Sequence, residues 1–195
     1  MLSWPAHRPT AYNPEMPVAL VPHRATPCGA VESLLASVWA EERAFSIIYV
    51  VTGDIEALSI PDLATPERTD GLWNHTCFEV FVRGSGSPAY CELNFSPSTQ
   101  WAAYRFDDYR SGMTELSMAA APRIAVDRAA HRLELRVSFE LTDDALILHE
   151  PLHLALAAVI EMCSQRRTYW ALAHPSTQPD FHHPAAFSYS PGSSS

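Results

Sequence analysis

Basic side chains are scarce in this chain. Its 195 residues carry 13 Lys and Arg against 22 Asp and Glu, a net charge of −9. A phosphate backbone is held by a basic face, and apart from Arg166-Arg167 none is visible, so nucleic acid is excluded as a partner. Long apolar runs are also missing. Nothing approaches the ~20 residues of a membrane-spanning helix, and the longest candidate, residues 152–162, contains His153 and Glu161 and has the length of a strand. No membrane partner is expected. The N-terminus has neither the basic flank nor the apolar stretch of a secretion signal, so a cytoplasmic location is expected. The four cysteines, Cys28, Cys77, Cys91 and Cys163, lack the C-x-x-C spacing of a metal site and are expected as free thiols. No G-x-S-x-G elbow offers a serine nucleophile and no G-x-G-x-x-G follows a strand; Arg83-Gly-Ser-Gly-Ser reads as a hairpin turn.

What the chain does have is many short segments of alternating hydrophobicity. Residues 45–52 (FSIIYVVT) are β-branched and aromatic, ended by Gly53-Asp54, and read as a strand. In residues 132–141, Leu133, Leu135, Val137, Phe139 and Leu141 alternate with Glu134, Arg136, Ser138 and Glu140, the pattern of a half-buried strand. It pairs with residues 122–127 as a hairpin, and residues 152–162 with 168–173 form the last one. Residues 31–39 fit a helical turn nearly as well as a strand, and a helical turn capped by Thr142 is expected over 142–145. The sum is an all-β fold: a two-sheet antiparallel β-sandwich of jelly-roll or immunoglobulin-like kind with about twelve strands. Residues 1–27, with six prolines, are expected as an arm holding at most one short edge strand at 18–21. The sandwich would span 28–187, and residues 188–195 would be a disordered tail. An unpaired edge strand would offer a homodimer contact.

Residues 72–110 carry the functional signal. LWNHTCFEVFV, a Gly/Ser turn and YCELNFSPSTQWAAYRFDDYR read as three successive antiparallel strands. If Phe78, Val80 and Val82 face the core, Cys77, Glu79 and Phe81 face away. The second strand sends Cys91, Leu93 and Phe95 inward and Tyr90, Glu92 and Asn94 to the other face. This places Cys77 and Cys91 on opposite faces. The third is expected to add Ala102, Tyr104 and Phe106 to the core and leave Trp101 and Arg105 opposite. One face then gathers Glu79, Glu92, Asn94, Arg105 and aromatics, with Trp73, His75, Tyr109 and Arg110 nearby. An antiparallel sheet normally has one wet face, where Glu and Asn are ordinary; aromatics mixed among them are not.

Two tryptophans flanking a groove with an acidic floor suit a sugar ring, whose apolar face stacks on indole while its hydroxyls meet acid and amide groups. Trp73, six positions before Glu79, and Trp170, on the last hairpin, are the candidates, with Trp101 and His174 at the rim; each tryptophan has a core or rim position as its plainer explanation. Glu79 and Glu92 are cross-strand or diagonal neighbours, and such a pair could serve a glycoside-directed enzyme. Adjacent strands, however, set the two carboxyls side by side rather than across a scissile bond, and Arg105 would neutralise them. No catalytic residue is assigned. His174, His182 and His183 with Asp180 match no compact zinc pattern, so no metal site is assigned. A non-covalent haem, held by a pair drawn from Met113, Met118, Met162, His174, His182 and His183, is the alternative cofactor; there is no C-x-x-C-H attachment.

The blocks LWNHTCFEVFV, YCELNFSPSTQWAAYRFDDYRSGM and RTYWALAHPSTQPDFHHPAAF resemble the bacterial DOMON-like proteins and, more distantly, the family-nine carbohydrate-binding modules. The resemblance covers residues 44–187. It implies a β-sandwich that binds sugar or haem on one sheet. For the sugar-binding relatives it implies stacking tryptophans at Trp73 and Trp170, an acid at Glu79, and an arginine with which Arg105 is compared. Haem-binding relatives use a Met with His or Lys, and no position here matches those. The expected function is non-catalytic binding of a small sugar-like ligand by Trp73, Glu79, Glu92, Asn94, Trp101, Arg105, Trp170 and His174, with haem binding and paired-Glu glycoside chemistry as alternatives.

Overall fold

Strand follows strand through the computed structural model, which describes residues 16–142 and 151–191. In chain order they are β1 Val18–Pro22, β2 Val31–Glu41, β3 Ala44–Gly53, β4 Cys77–Gly84, β5 Tyr90–Phe95, β6 Trp101–Phe106, β7 Thr114–Glu115, β8 Arg123–Ala129, β9 Arg132–Glu140, β10 Leu152–Glu161 and β11 Arg167–Ala171. Among the described residues, the helical pieces are three single 3-10 turns, Ile55–Ala57, Leu72–Asn74 and Pro184–Ala186. The ambiguous stretch at 31–39 is strand: its alternate residues Leu34, Ala36 and Val38 are buried, a period of two. Residues 143–145 of the helical turn expected over 142–145, and most of the N-terminal arm, fall outside the described residues.

All pairings between strands are antiparallel, and the eleven strands make one sheet in the order β7-β6-β5-β4-β10-β11-β1-β2-β3-β9-β8. Two separate sheets were expected; the hydrogen bonding is instead continuous, and the sheet curls through β1. That strand pairs with β2 through Val18–Leu20 and with β11 through Val21 and Pro22. It is therefore an interior strand and not the expected edge. Its prolines permit this because Pro17 precedes the ladder and Pro22 ends it, where one missing N–H costs little.

The curl brings the two halves of the sheet face to face. Leu34, Ile47, Tyr49, Leu135 and Phe139 from one half pack with Phe78, Val80, Leu93, Phe95 and Trp170 from the other in a single core. Phe95 and Phe139 meet with ring centroids 5.6 Å apart, and Tyr49 and Phe78 at 5.1 Å. Burying each such side chain is worth roughly 1.5–3 kcal/mol, which is the main force closing the curl. Tyr49 also spans the halves through a polar bond: its buried hydroxyl donates to the Glu79 carbonyl at 2.8 Å. Tyr49→Phe should therefore cost about 1–2 kcal/mol in urea unfolding, because the Glu79 carbonyl loses a buried donor. A loss under ~0.5 kcal/mol would mean the bond contributes nothing net.

The other face of β4, β5, β6, β10 and β11 is covered only in part. Phe181, Ala186 and Phe187, from the segment after β11, pack on Phe81, Tyr90 and Phe106. Tyr189 then exchanges two backbone hydrogen bonds with Leu154, at 2.7 and 3.1 Å, so the start of the expected disordered tail is tied to β10. What stays uncovered on this face is the candidate site.

Candidate functional site

Register on β4 and β5 sets the floor. Glu79 lies opposite Asn94 and Phe81 opposite Glu92, so the two glutamates are diagonal neighbours on one face. Both are buried, Glu79 to 3% and Glu92 to 5% exposure. Across the adjoining strands Ala157 stands opposite Glu79, and Ala171 opposite Ala157. These small side chains leave room above the acids. The result is a cavity of about 150 Å³ with Glu79 and Glu92 in its wall, aromatic sides from Trp73, Tyr169 and Phe181, and Arg110, Arg167 and His182 completing it.

Four of the expected site residues sit elsewhere. On β6, Phe95 pairs with Trp101, Leu93 with Ala103 and Cys91 with Arg105. Directly opposed residues share a face, so Trp101 and Arg105 lie on the core side while Ala102, Tyr104 and Phe106 lie on the site side. The cause is the turn over residues 96–100. It is closed by Ser96 N–H to the Gln100 carbonyl at 2.9 Å, with Thr99 at φ 75°, and it brings residues 95 and 101 into direct register. Trp170 pairs with Ala158, packs in the main core and donates its indole N–H to Thr168 Oγ1 at 3.1 Å. Its neighbour Tyr169 faces the site instead. His174 donates from Nε2 to the Val21 carbonyl at 2.8 Å and meets His23 edge-on, bracing β1 away from the cavity.

Trp73, Glu79, Glu92 and Asn94 are brought together as expected, although Trp73 arrives by a different route. It lies on the 3-10 turn Leu72–Asn74, entered through Gly71 at φ 76°, and not on the strand itself. It is 36% exposed and edge-on to Tyr104 at 5.8 Å, a rim position at the cavity mouth.

A chain of hydrogen bonds orients the acids. Arg110, in the loop after β6, donates its backbone N–H to Tyr90 Oη at 3.2 Å. The Tyr90 hydroxyl is therefore left to donate to His182 Nδ1, 2.7 Å away. That tautomer turns the His182 Nε2–H toward Glu92 Oε2 at 3.6 Å. Asn94 donates to the other Glu92 oxygen at 2.7 Å and accepts a weak bond from Cys77 Sγ at 3.7 Å. Asp180 ties this wall together, accepting from Arg110 at 2.9 Å, from Tyr109 Oη at 2.7 Å and from the His182 backbone N–H at 3.2 Å.

Glu79 is the exception. Among the described residues no group hydrogen-bonds its carboxyl. Burial, then repulsion from Glu92, lifts its pKa well above the usual carboxylate range, with Arg110 acting the other way. Glu92 is pushed up to about 7 by burial, against the Asn94 hydrogen bond and the Arg110 charge. His182, boxed by Phe81, Tyr90 and Phe106, is lowered to about 4 by burial and then by Arg110, so it is neutral at pH 7. Asp180 is held below its ordinary value: burial acts upward, but the bonds from Tyr109 and Arg110 outweigh it. The cavity thus offers one acid with no partner, one acid already oriented, and aromatic faces above them.

Tyr169 and Phe181 complete a site that sequence reasoning assembled without them, together with Arg110, expected only nearby, and His182, weighed only as a haem or metal ligand. The alternation that buries Trp170 would have turned Tyr169 outward, had the core side of β11 been known. Phe181 and His182 come from an aperiodic segment, and no pattern marks where it folds back.

No protein-family model matches the chain, and no curated protein matches it. Among solved structures, a candidate carbohydrate-binding protein from Bacteroides uniformis shares the fold. It aligns over 88% of this chain and 82% of its own, with a TM-score of 0.64 and 15% sequence identity. Two structures of a family-nine carbohydrate-binding module from Caldicellulosiruptor kristjanssonii are more loosely similar. The cellotriose complex has a TM-score of 0.46 at 12% identity, over 79% of this chain and 71% of its own. The glucose complex has a TM-score of 0.44 at 11% identity, over 79% and 73%.

Proposed function

We propose that this chain is a non-catalytic binding module for a small sugar-like ligand, seated over Glu79 and Glu92 with Trp73 at the mouth of the cavity. The observation that carries the reading is the Glu79 carboxyl: buried, without a hydrogen-bond partner among the described residues, and facing an aromatic-walled cavity. Ligand hydroxyls would supply the partners that this carboxyl lacks, while Trp73 and Tyr169 offer faces to the apolar side of a ring. Glu92, held by Asn94, and Arg110 supply the other polar contacts. The volume of about 150 Å³ is below the roughly 300–1,000 Å³ of sites for drug-sized ligands, which favours a single ring over a haem. The two carboxyls lie on adjoining strands of one face, which favours binding over glycosidic cleavage. The sequence resemblance to DOMON-like proteins supports the reading, as does the carbohydrate-binding description of the Bacteroides structure that shares the fold.

Trp73→Ala tests it. The side chain lies at the rim, so the variant should keep its thermal midpoint while losing about tenfold in affinity for the sugar that a glycan screen selects, the loss of one stacking face. Unchanged affinity in the folded variant removes Trp73 from the site.

A further inference from the structure

We infer that the ligand of this cavity carries a basic nitrogen, and that an amino sugar is preferred over its neutral counterpart. The inference rests on the sugar-binding reading and specifies it. Two acids share one buried wall, and they differ in how they are satisfied. Glu92 has Asn94 on one oxygen and His182 facing the other, whereas Glu79 has no hydrogen-bond partner among the described residues. Of the two cations that line the cavity, Arg110 is paired with Asp180 at 2.9 Å, while Arg167 donates to the neutral Asn74 Oδ1 at 3.3 Å and keeps its charge. The charged and titratable groups around Glu79 are then Glu92 from β5, Arg110 from the loop after β6, Arg167 from β11 and His182 from the C-terminal segment, with the Cys77 thiol and Tyr49 hydroxyl interacting from β4 and β3. With Asp180, the partner of Arg110, counted in, three carboxyls face two guanidiniums, so with the acids ionised the wall is one positive charge short.

A ligand ammonium supplies that charge with up to three N–H donors, whereas a hydroxyl supplies one. It would sit among Trp73, Tyr169 and Phe181, whose ring faces attract a cation. Burial holds both acids toward the protonated form, repulsion from Glu92 adds to it at Glu79, and an ammonium favours the ionised form of each as it binds.

The test is titration calorimetry of the full chain at pH 7 and low salt. The probes are glucose, galactose and mannose, each as the free amine at C2, the N-acetyl form and the parent hydroxyl sugar. The amine of the best-bound series should bind at least about tenfold tighter than its two neutral forms, the increment of one charge-assisted buried contact. Glu79→Gln, checked for folding by circular dichroism, should collapse that ratio to within about twofold. Equal or tighter binding of a neutral form overturns the inference and leaves the sugar reading standing. So does a preference for the amine that survives in folded Glu79→Gln. If no sugar of any series binds, the sugar reading fails and this inference fails with it.

Discussion

Asp180→Ala is expected to lower ligand affinity by roughly 30- to 100-fold, although Asp180 need not touch the ligand. Its carboxylate joins the Tyr109 hydroxyl, the Arg110 guanidinium and the His182 backbone, and its side chain is only 11% exposed. Truncating one partner of such a hydrogen-bonded charge pair typically costs about 2–5 kcal/mol, much of it from the stranded partner. Here the stranded partner is Arg110, which already feels the Glu79 and Glu92 charges. Freed of Asp180, its guanidinium is drawn by the acids whose pKa values it already lowers, and would swing into the cavity. Removing Arg110 as well should therefore restore part of the lost affinity. Asp180→Asn, which keeps an acceptor for Tyr109 without the charge, should fall between. A double-mutant cycle of Asp180→Ala with Arg110→Ala reads this coupling directly. Additive losses would mean that Asp180 merely shapes the segment, with no bearing on where Arg110 points.

The second large effect is on stability against pH. An acid whose native pKa is raised binds its proton more tightly in the folded state. Its contribution is fully present below the unfolded value near 4.5 and is lost as pH rises through the folded value. For Glu92 that folded value is about 7, so wild type should lose roughly 2–3 kcal/mol relative to Glu92→Gln between pH 5 and pH 8. His182 has the opposite sign. Its folded pKa near 4 lies below the ordinary 6.5, so its contribution is complete above pH 6.5 and fades toward pH 4. Because His182 is common to both proteins, it largely cancels in the difference between them. Urea unfolding of both at pH 5, 6, 7 and 8 measures that difference. A flat difference would contradict the burial of the Glu92 carboxyl; a rise in favour of the Gln variant would bear it out.

Much of this architecture is legible in the chain because alternation survives wherever one strand face is wet. β3 and β9 fall where FSIIYVVT and the Leu133-to-Leu141 alternation place them. Glu79, Glu92 and Asn94 share a face because a hairpin between two well-marked strands leaves one sensible register. The misreadings are of parity. On β6, residues 101–106 (WAAYRF) are apolar on both faces, so the sequence alone cannot say which side Trp101 takes; the turn over residues 96–100 decides it. On β11, Trp170 and Tyr169 are both plausible site aromatics, and only the partner strand tells them apart. Position in the sheet is a separate matter. The change of partner within β1 depends on where distant strands end, which no local pattern carries. The loops that bring Arg110, Asp180 and His182 to the acids are aperiodic, and their placement is a product of tertiary packing.

The claim at the centre of this account is that the cavity over Glu79 and Glu92 is where the ligand sits. A crystal structure of the protein with the tightest-binding sugar of the calorimetric panel tests it most directly. The account predicts one sugar ring resting on Trp73 or Tyr169, with a polar group within hydrogen-bond distance of the Glu79 carboxyl. A sugar seated elsewhere, with the Glu79 cavity left empty, would contradict it.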